Sequence, residues 1–232
     1  KKVVGDDNRI QEDNVLIEYD INPHKEFDTF NDNLNRGIAA CYELAKPLGM
    51  SIAEGICSHV FTEAEIKSFH ESALVFGCEP DYNALTGMRN PKPAAADLGL
   101  RTCGGHIHIG YNDVIEVTGD NQKILGVMCD YFLGLPSLLL DKDDRRRELY
   151  GKAGACRFKD YGIEYRSLSN FWTFQEKQRQ WAWEQAHKAF NFMNSGDFEM
   201  LIAIVDPEEV QRCINEGNKE LAEVYIKQLE VQ

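Results

Sequence analysis

Two short stretches carry the side chains best suited to chemistry. In residues 101–110, RTCGGHIHIG, His106 and His108 stand one residue apart and alternate with Ile107 and Ile109. That is the period-two pattern of a half-buried strand, on which residues i and i+2 share a face about 7 Å apart. The isoleucines would face a core and both imidazoles a cavity. Gly104 and Gly105, just before them, leave room for a ligand or a backbone to come close. In residues 162–170, GIEYRSLSN, Glu164 and Arg166 share one face of a second strand, Ile163 and Tyr165 the other. A carboxylate beside a guanidinium suits a site where a divalent cation and a phosphate meet: the carboxylate takes the cation, the arginine fork the phosphate oxygens. A solvent-facing ion pair is the competing account of Glu164 and Arg166. A core histidine beside a solvated one is the competing account of the histidines.

Three further groupings carry charge. Glu18 and Asp20 follow Glu12 and Asp13 in QEDNVLIEYD, and the LIEY context marks the Glu18 strand as buried. Glu79 and Asp81 open a proline-rich loop in GCEPDYN, where turn chemistry alone could account for them. Arg145, Arg146 and Arg147 stand next to Tyr150, Gly151 and Gly154, with Arg157 shortly after, forming the densest positive segment. Such a segment is either an anion clamp for a triphosphate or a carboxylate, or a counterweight to Asp141, Asp143 and Asp144. Its glycines do not match the GxxxxGK[ST] of a P-loop.

The elements that must position these groups follow from periodicity. Residues 15–21 alternate as a strand. Phe27, Phe30, Leu34, Ile38, Cys41, Ala45 and Leu48 follow helical spacing, with Gly49 as the stop. Residues 50–57 and 74–78 read as strands, and Thr62 with Glu65 as a capping box for a helix to about residue 71. Residues 79–96 read as a site loop, and 121–140 as a buried apolar helix bent at Pro136. Residues 156–158 and 163–168 read as a hairpin around KDYG. Helices fill the rest, with Asp206 as an N-cap and Pro207 at the first helical position. Trp181, Trp183 and Phe190 read as core or interface.

The chain of 232 residues carries a formal charge of −13, which argues against nucleic-acid binding. Seven cysteines, scattered singly, argue for reduced thiols in a cytoplasm. The longest apolar run, 131–140, is too short to span a bilayer, so no membrane partner is expected. The simplest organisation is α+β, a mostly antiparallel sheet with packed helices and a helical C-terminal segment.

The motifs GGHIHIG, RxxxYGxAGxxR and YGIEYRSLSN, together with QEDNVLIEYDINP and GCEPDYNA, resemble the phage-type carboxylate–amine ligases, or type-two amidoligases. These belong to the glutamine-synthetase and glutamate–cysteine-ligase superfamily. The resemblance runs from about residue 11 to residue 172. It implies a glutamine-synthetase-like curved antiparallel sheet, with a catalytic domain over 1–174 and a C-terminal helical extension over 175–232 packed on it. It also implies ATP and two or three Mg²⁺ (or Mn²⁺) ions, and amide formation through an acyl phosphate. By the same resemblance Asp13, Glu18, His106 and Glu164 are metal ligands, with His106 or His108 touching metal or phosphate. Arg166 would stabilise the transferring phosphoryl group, and Arg147 and Arg157 would hold phosphate or the substrate carboxylate. The partners implied are small-molecule or peptide carboxylates and amines, in the host cytoplasm if phage-encoded, with a homo-oligomer allowed. A metal-dependent hydrolase and a non-catalytic phage protein that kept the fold are the alternatives.

Overall fold

The computed structural model describes residues 2–4, 8–74, 80–91 and 99–231. The alternating N-terminal segment forms an antiparallel hairpin, β2 (Asn8–Asp13) with β3 (Leu16–Asp20), and β1 (Lys2–Val4) adds to β2. The turn places Asn14 at φ 61°, a left-handed position that asparagine tolerates. Helix α1 (Phe27–Ala45) buries Leu34, Cys41 and Ala45 as its spacing predicts, then tightens into a 3₁₀ turn and stops at Gly49, φ 67°. The strand expected over 50–57 does not form. Gly55 turns the backbone at φ 69°, and within that stretch only Cys57 is buried. Pairing begins one residue later, between β4 (Ser58–Val60) and β6 (Leu100–Thr102). The capping box is formed: the Thr62 hydroxyl accepts from the Glu65 N–H and the Glu65 carboxylate from the Thr62 N–H, opening α2 (Glu63–Ser68). The strand expected over 74–78 lies outside the described residues except for Leu74, which closes a 3₁₀ turn.

The largest sheet has the order β5 (Tyr82–Asn83), β8 (Ala155–Lys159), β9 (Gly162–Tyr165) and β7 (Ile107–Gly110). The predicted 156–168 hairpin is β8–β9. The class is therefore α+β with antiparallel strands, but among the described residues those strands divide among separate sheets of three, two and four.

The apolar segment 119–140 is one continuous helical rod with a fault in it. Helix α3 (Gly119–Cys129) passes into a π turn, Asp130–Gly134, before α4 (Leu135–Leu140). The Leu135 N–H reaches back five residues to the Asp130 carbonyl. The expected irregularity at Pro136 thus falls on the turn before it, where a widened π turn makes room for a ring that has no N–H to give. The 22-residue rod contains an 18-residue stretch of mean hydropathy 1.5, long and apolar enough to cross a membrane, contrary to the reading of the shorter run, yet 78% of that stretch is buried in the fold. Leu125, Met128, Leu133, Leu135 and Leu138 are fully buried, each contributing about 1.5–3 kcal/mol.

Four helices complete the chain: α6 (Glu176–Ser195), α7 (Phe198–Ile204), α8 (Pro207–Glu216) and α9 (Lys219–Leu229). Asp206 caps α8 through the Glu208 N–H, with Pro207 at its start. Helix α6 packs on α3, while α4 packs on α8 and α9. Trp181 and Phe190 are half-buried and pack against the core, on Phe171 and Tyr111, while Trp183, also half-buried, lies against Phe30 between α6 and α1. Buried Arg179 ties α6 to α1 through the Asn31 and Asn35 side-chain oxygens, at 2.7 and 2.6 Å.

Candidate functional site

Strand register alone assembles the site. Across β7, β9 and β8, His108 stands opposite Glu164 and Glu164 opposite Arg157, so these three form one row on one face. Two residues along each chain, the same alternation adds His106, Arg166 and Lys159 to that face. The other face presents Ile107, Ile109, Ile163 and Tyr165 to the core. The two stretches expected to converge therefore do so: His106 Nδ1 lies 3.4 Å from Glu164 Oε1.

Glu164 is the hub. Its carboxylate is 4% exposed and pairs with Arg166 Nη1, with Arg157 Nη1 at 3.3 Å and with Lys159 Nζ at 3.2 Å. Burial pushes this carboxyl up, but the guanidinia of Arg166 and Arg157 outweigh it and hold it below the usual range. Arg166 also meets His106 Nδ1 at 3.1 Å and, through Nε, Asp81 Oδ2 at 3.3 Å. A guanidinium only donates, so His106 Nδ1 accepts, the ring is neutral and its proton sits on Nε2. Desolvation, followed by the charges of Arg166 and Arg146, pushes the His106 pKa well down, in agreement with a neutral ring.

Arg146 closes the cluster from behind. It lies on the single-turn helix α5 (Arg146–Leu149), is buried, and donates to the Arg166 carbonyl at 3.0 Å. Burial, then the Arg166 charge, draws its pKa down to about 10, so it is still charged at neutral pH. Gly104 must be small here: a Cβ would come within 2.5 Å of His106 Nε2 and 3.1 Å of Arg146 Nη2. Gly105 likewise lies against the Ser169 carbonyl and the Trp172 indole, so the space these glycines leave is taken by protein.

Other expected site residues fall elsewhere. Arg147 turns away from the cluster, pairs with Asp144 at 3.1 Å and lines a cavity of about 200 Å³ with Lys152 and Asn215. Of the three consecutive arginines it is Arg146 that reaches the site. His108 is exposed and meets the Tyr161 hydroxyl at 2.6 Å through Nδ1. Glu18 pairs with Gln11 across β2–β3, and Asp13 is exposed at the end of β2. Among the described residues neither is hydrogen-bonded or ion-paired to the Glu164 cluster, and no group of three or more His, Cys, Asp or Glu side chains converges as a metal cage. Lys159 and Tyr161 were not singled out from the sequence. The register of the hairpin held the signal, because a turn at 160–161 places Lys159 on the Arg157 face.

Three cations, Arg157, Lys159 and Arg166, thus pair with two carboxylates, Glu164 and Asp81, and a fourth, Arg146, stands directly behind Arg166, in a chain of charge −13. Packing like charges this closely is unfavourable without anions, and a phosphate would relieve it.

A model of the family described as phage phiEco32-like COOH.NH2 ligase-type 2 matches residues 95–229, more than half of the chain. The match takes in β7, β8, β9 and the C-terminal helices. No curated protein and no solved structure matches the chain.

Proposed function

Since the chain belongs to the phage phiEco32-like COOH.NH2 ligase-type 2 family, we propose that it joins a carboxylate to an amine at the expense of ATP through an acyl phosphate. The observation that carries this reading is the excess of cations around Glu164 and neutral His106 on one face of the β7–β9–β8 ladder. Phosphoryl transfer is catalysed mainly by placing charge around the moving group. A substrate carboxylate oxygen attacks the γ-phosphorus, the bond to ADP breaks, and an acyl phosphate forms. The amine nitrogen then attacks the acyl carbon, phosphate leaves, and the nitrogen sheds a proton. Arg166 and Arg157 would hold the transferring phosphoryl oxygens, Lys159 would sit at the rim, and His106 Nε2–H would donate to a non-bridging oxygen.

Both Glu164 oxygens are engaged by cations, so these side chains alone do not fit a resident metal ion. Magnesium carried in with the triphosphate would screen its charge, with most of its shell supplied by water and phosphate. The substrates are small-molecule or peptide acids and amines.

Incubation with ATP, Mg²⁺, a panel of acidic amino acids and hydroxylamine as the amine tests this reading. The expected result is ADP release that requires an acid, together with a hydroxamate from the trapped acyl phosphate. ATP hydrolysis indifferent to both acid and amine, or no nucleotide binding by the wild-type protein, would overturn it.

A further inference from the structure

We propose that Asp81 is a positioning residue for Arg166, and that the loop over residues 80–91 exists in part to hold it there. This rests on reading the Glu164 cluster as a phosphate site. Arg166 has two of its three nitrogens engaged: Nη1 by Glu164 and His106, and Nε by Asp81 Oδ2 at 3.3 Å. Among the described residues Nη2 has no partner, so a guanidinium held at two corners presents its third to a ligand.

Asp81 is itself held. Its other oxygen accepts from Asn90 Nδ2 at 3.0 Å, and its carbonyl accepts from the Asn90 N–H at 2.9 Å. The loop between them is closed by the Asn83 N–H to the Met88 carbonyl at 2.9 Å and by a bridge from Tyr82 to Arg89. It is fastened to the sheet where Tyr82 and Asn83 pair with Cys156 and Ala155. It is fastened to helix α8 where Asn83 Nδ2 donates to Gln211 at 2.9 Å. The Asp81 carboxylate therefore reaches Arg166 from a small, braced turn. With Glu164 on one side and Asp81 on the other, the guanidinium plane is held in place before any ligand arrives. Such preorganisation is what a charge-stabilising group needs.

The sign of one measurement separates positioning from charge balance. If Asp81 merely offset the surrounding cations, Asp81→Asn would make the site more positive and inorganic triphosphate would bind more tightly. If it positions Arg166, Asp81→Asn weakens triphosphate binding about tenfold, the scale of one lost charge-assisted hydrogen bond, and Asp81→Glu recovers part of the loss. Calorimetric titration of wild type, Asp81→Asn and Asp81→Glu reads this, with thermal melts to show that each is folded. The Arg166 Nε–H resonance, identified by its loss in Arg166→Lys, should exchange faster with water in Asp81→Asn. Equal or tighter triphosphate binding by Asp81→Asn, with an unchanged Nε–H resonance, overturns the proposal and leaves the phosphate-site reading standing. Absence of triphosphate binding by the wild-type protein overturns both.

Discussion

Strand β9 keeps a buried carboxylate behind each of its faces, and the two are accommodated in opposite ways. On the site face, Glu164 is surrounded by cations and stays ionised. On the core face, Asp130 of the π turn is 1% exposed and has only neutral donors: the Gly154 N–H at 2.7 Å, the Tyr165 hydroxyl at 2.8 Å and Gln211 Nε2 at 2.9 Å. Burial pushes its pKa up to about 6 even though all three hydrogen bonds pull it down. Neutral donors fix geometry at the cost of a weakly tolerated charge, whereas cations keep the charge and remain available to a second anion. Chemistry and architecture are thus separated by one residue step, from Glu164 to Tyr165.

Experiments that abolish either side sharpen this contrast. The largest effect is expected from Arg166→Ala, which removes the cation shared by Glu164, His106 and Asp81. ATP turnover should fall by about a hundredfold or more, with the melting transition still cooperative.

Next comes Asp130→Asn. The folded-state pKa of Asp130 lies above that of the unfolded chain, so the wild type loses stability at this group as pH rises from about 4 to about 6. The variant has no such loss. Acidification from pH 7 to 4.5 should therefore favour wild type over Asp130→Asn by about 2 kcal/mol in urea melts. No change in that difference would show that Asp130 is not desolvated in solution.

Glu164→Gln should show the reverse sign. A depressed carboxyl stabilises above its unfolded pKa and loses that contribution as pH falls through the folded value. The advantage of wild type over Glu164→Gln should then shrink on acidification. The smallest effect belongs to Lys159→Met. Its side chain is 30% exposed, so triphosphate affinity should fall only a few-fold and mostly at low salt.

The site was legible in the sequence to the extent that period two makes it so. His106 with His108 and Glu164 with Arg166 share faces because alternation requires it, and the KDYG turn carries enough register to set Arg157 opposite Glu164. That β7 lies directly beside β9 was not legible in the sequence, since pairing between distant segments leaves no local trace. Arg146 could not be told from Arg147, because a helix of one turn has no periodicity to phase. Asp130 was not singled out, because its partners come from three distant segments. The strand expected over 50–57 failed because apolar content there outweighed a glycine that turns the chain. The short helix α7 was not anticipated as a separate element.

The wider turn of the 119–140 rod has a consequence for how the two ends of this protein depend on each other. It lies between α3, which faces the sheet and α6, and α4, which faces α8 and α9. Five residues of a π turn rotate the chain about as far as four of a regular helix, so deleting one residue from 130–134 would straighten the rod and leave α4 in phase, whereas deleting one from α3 would swing every later side chain by about 100°. The penalty of that second deletion would appear far from the cut, as the last two helices losing their seat while the strand hairpin kept its own.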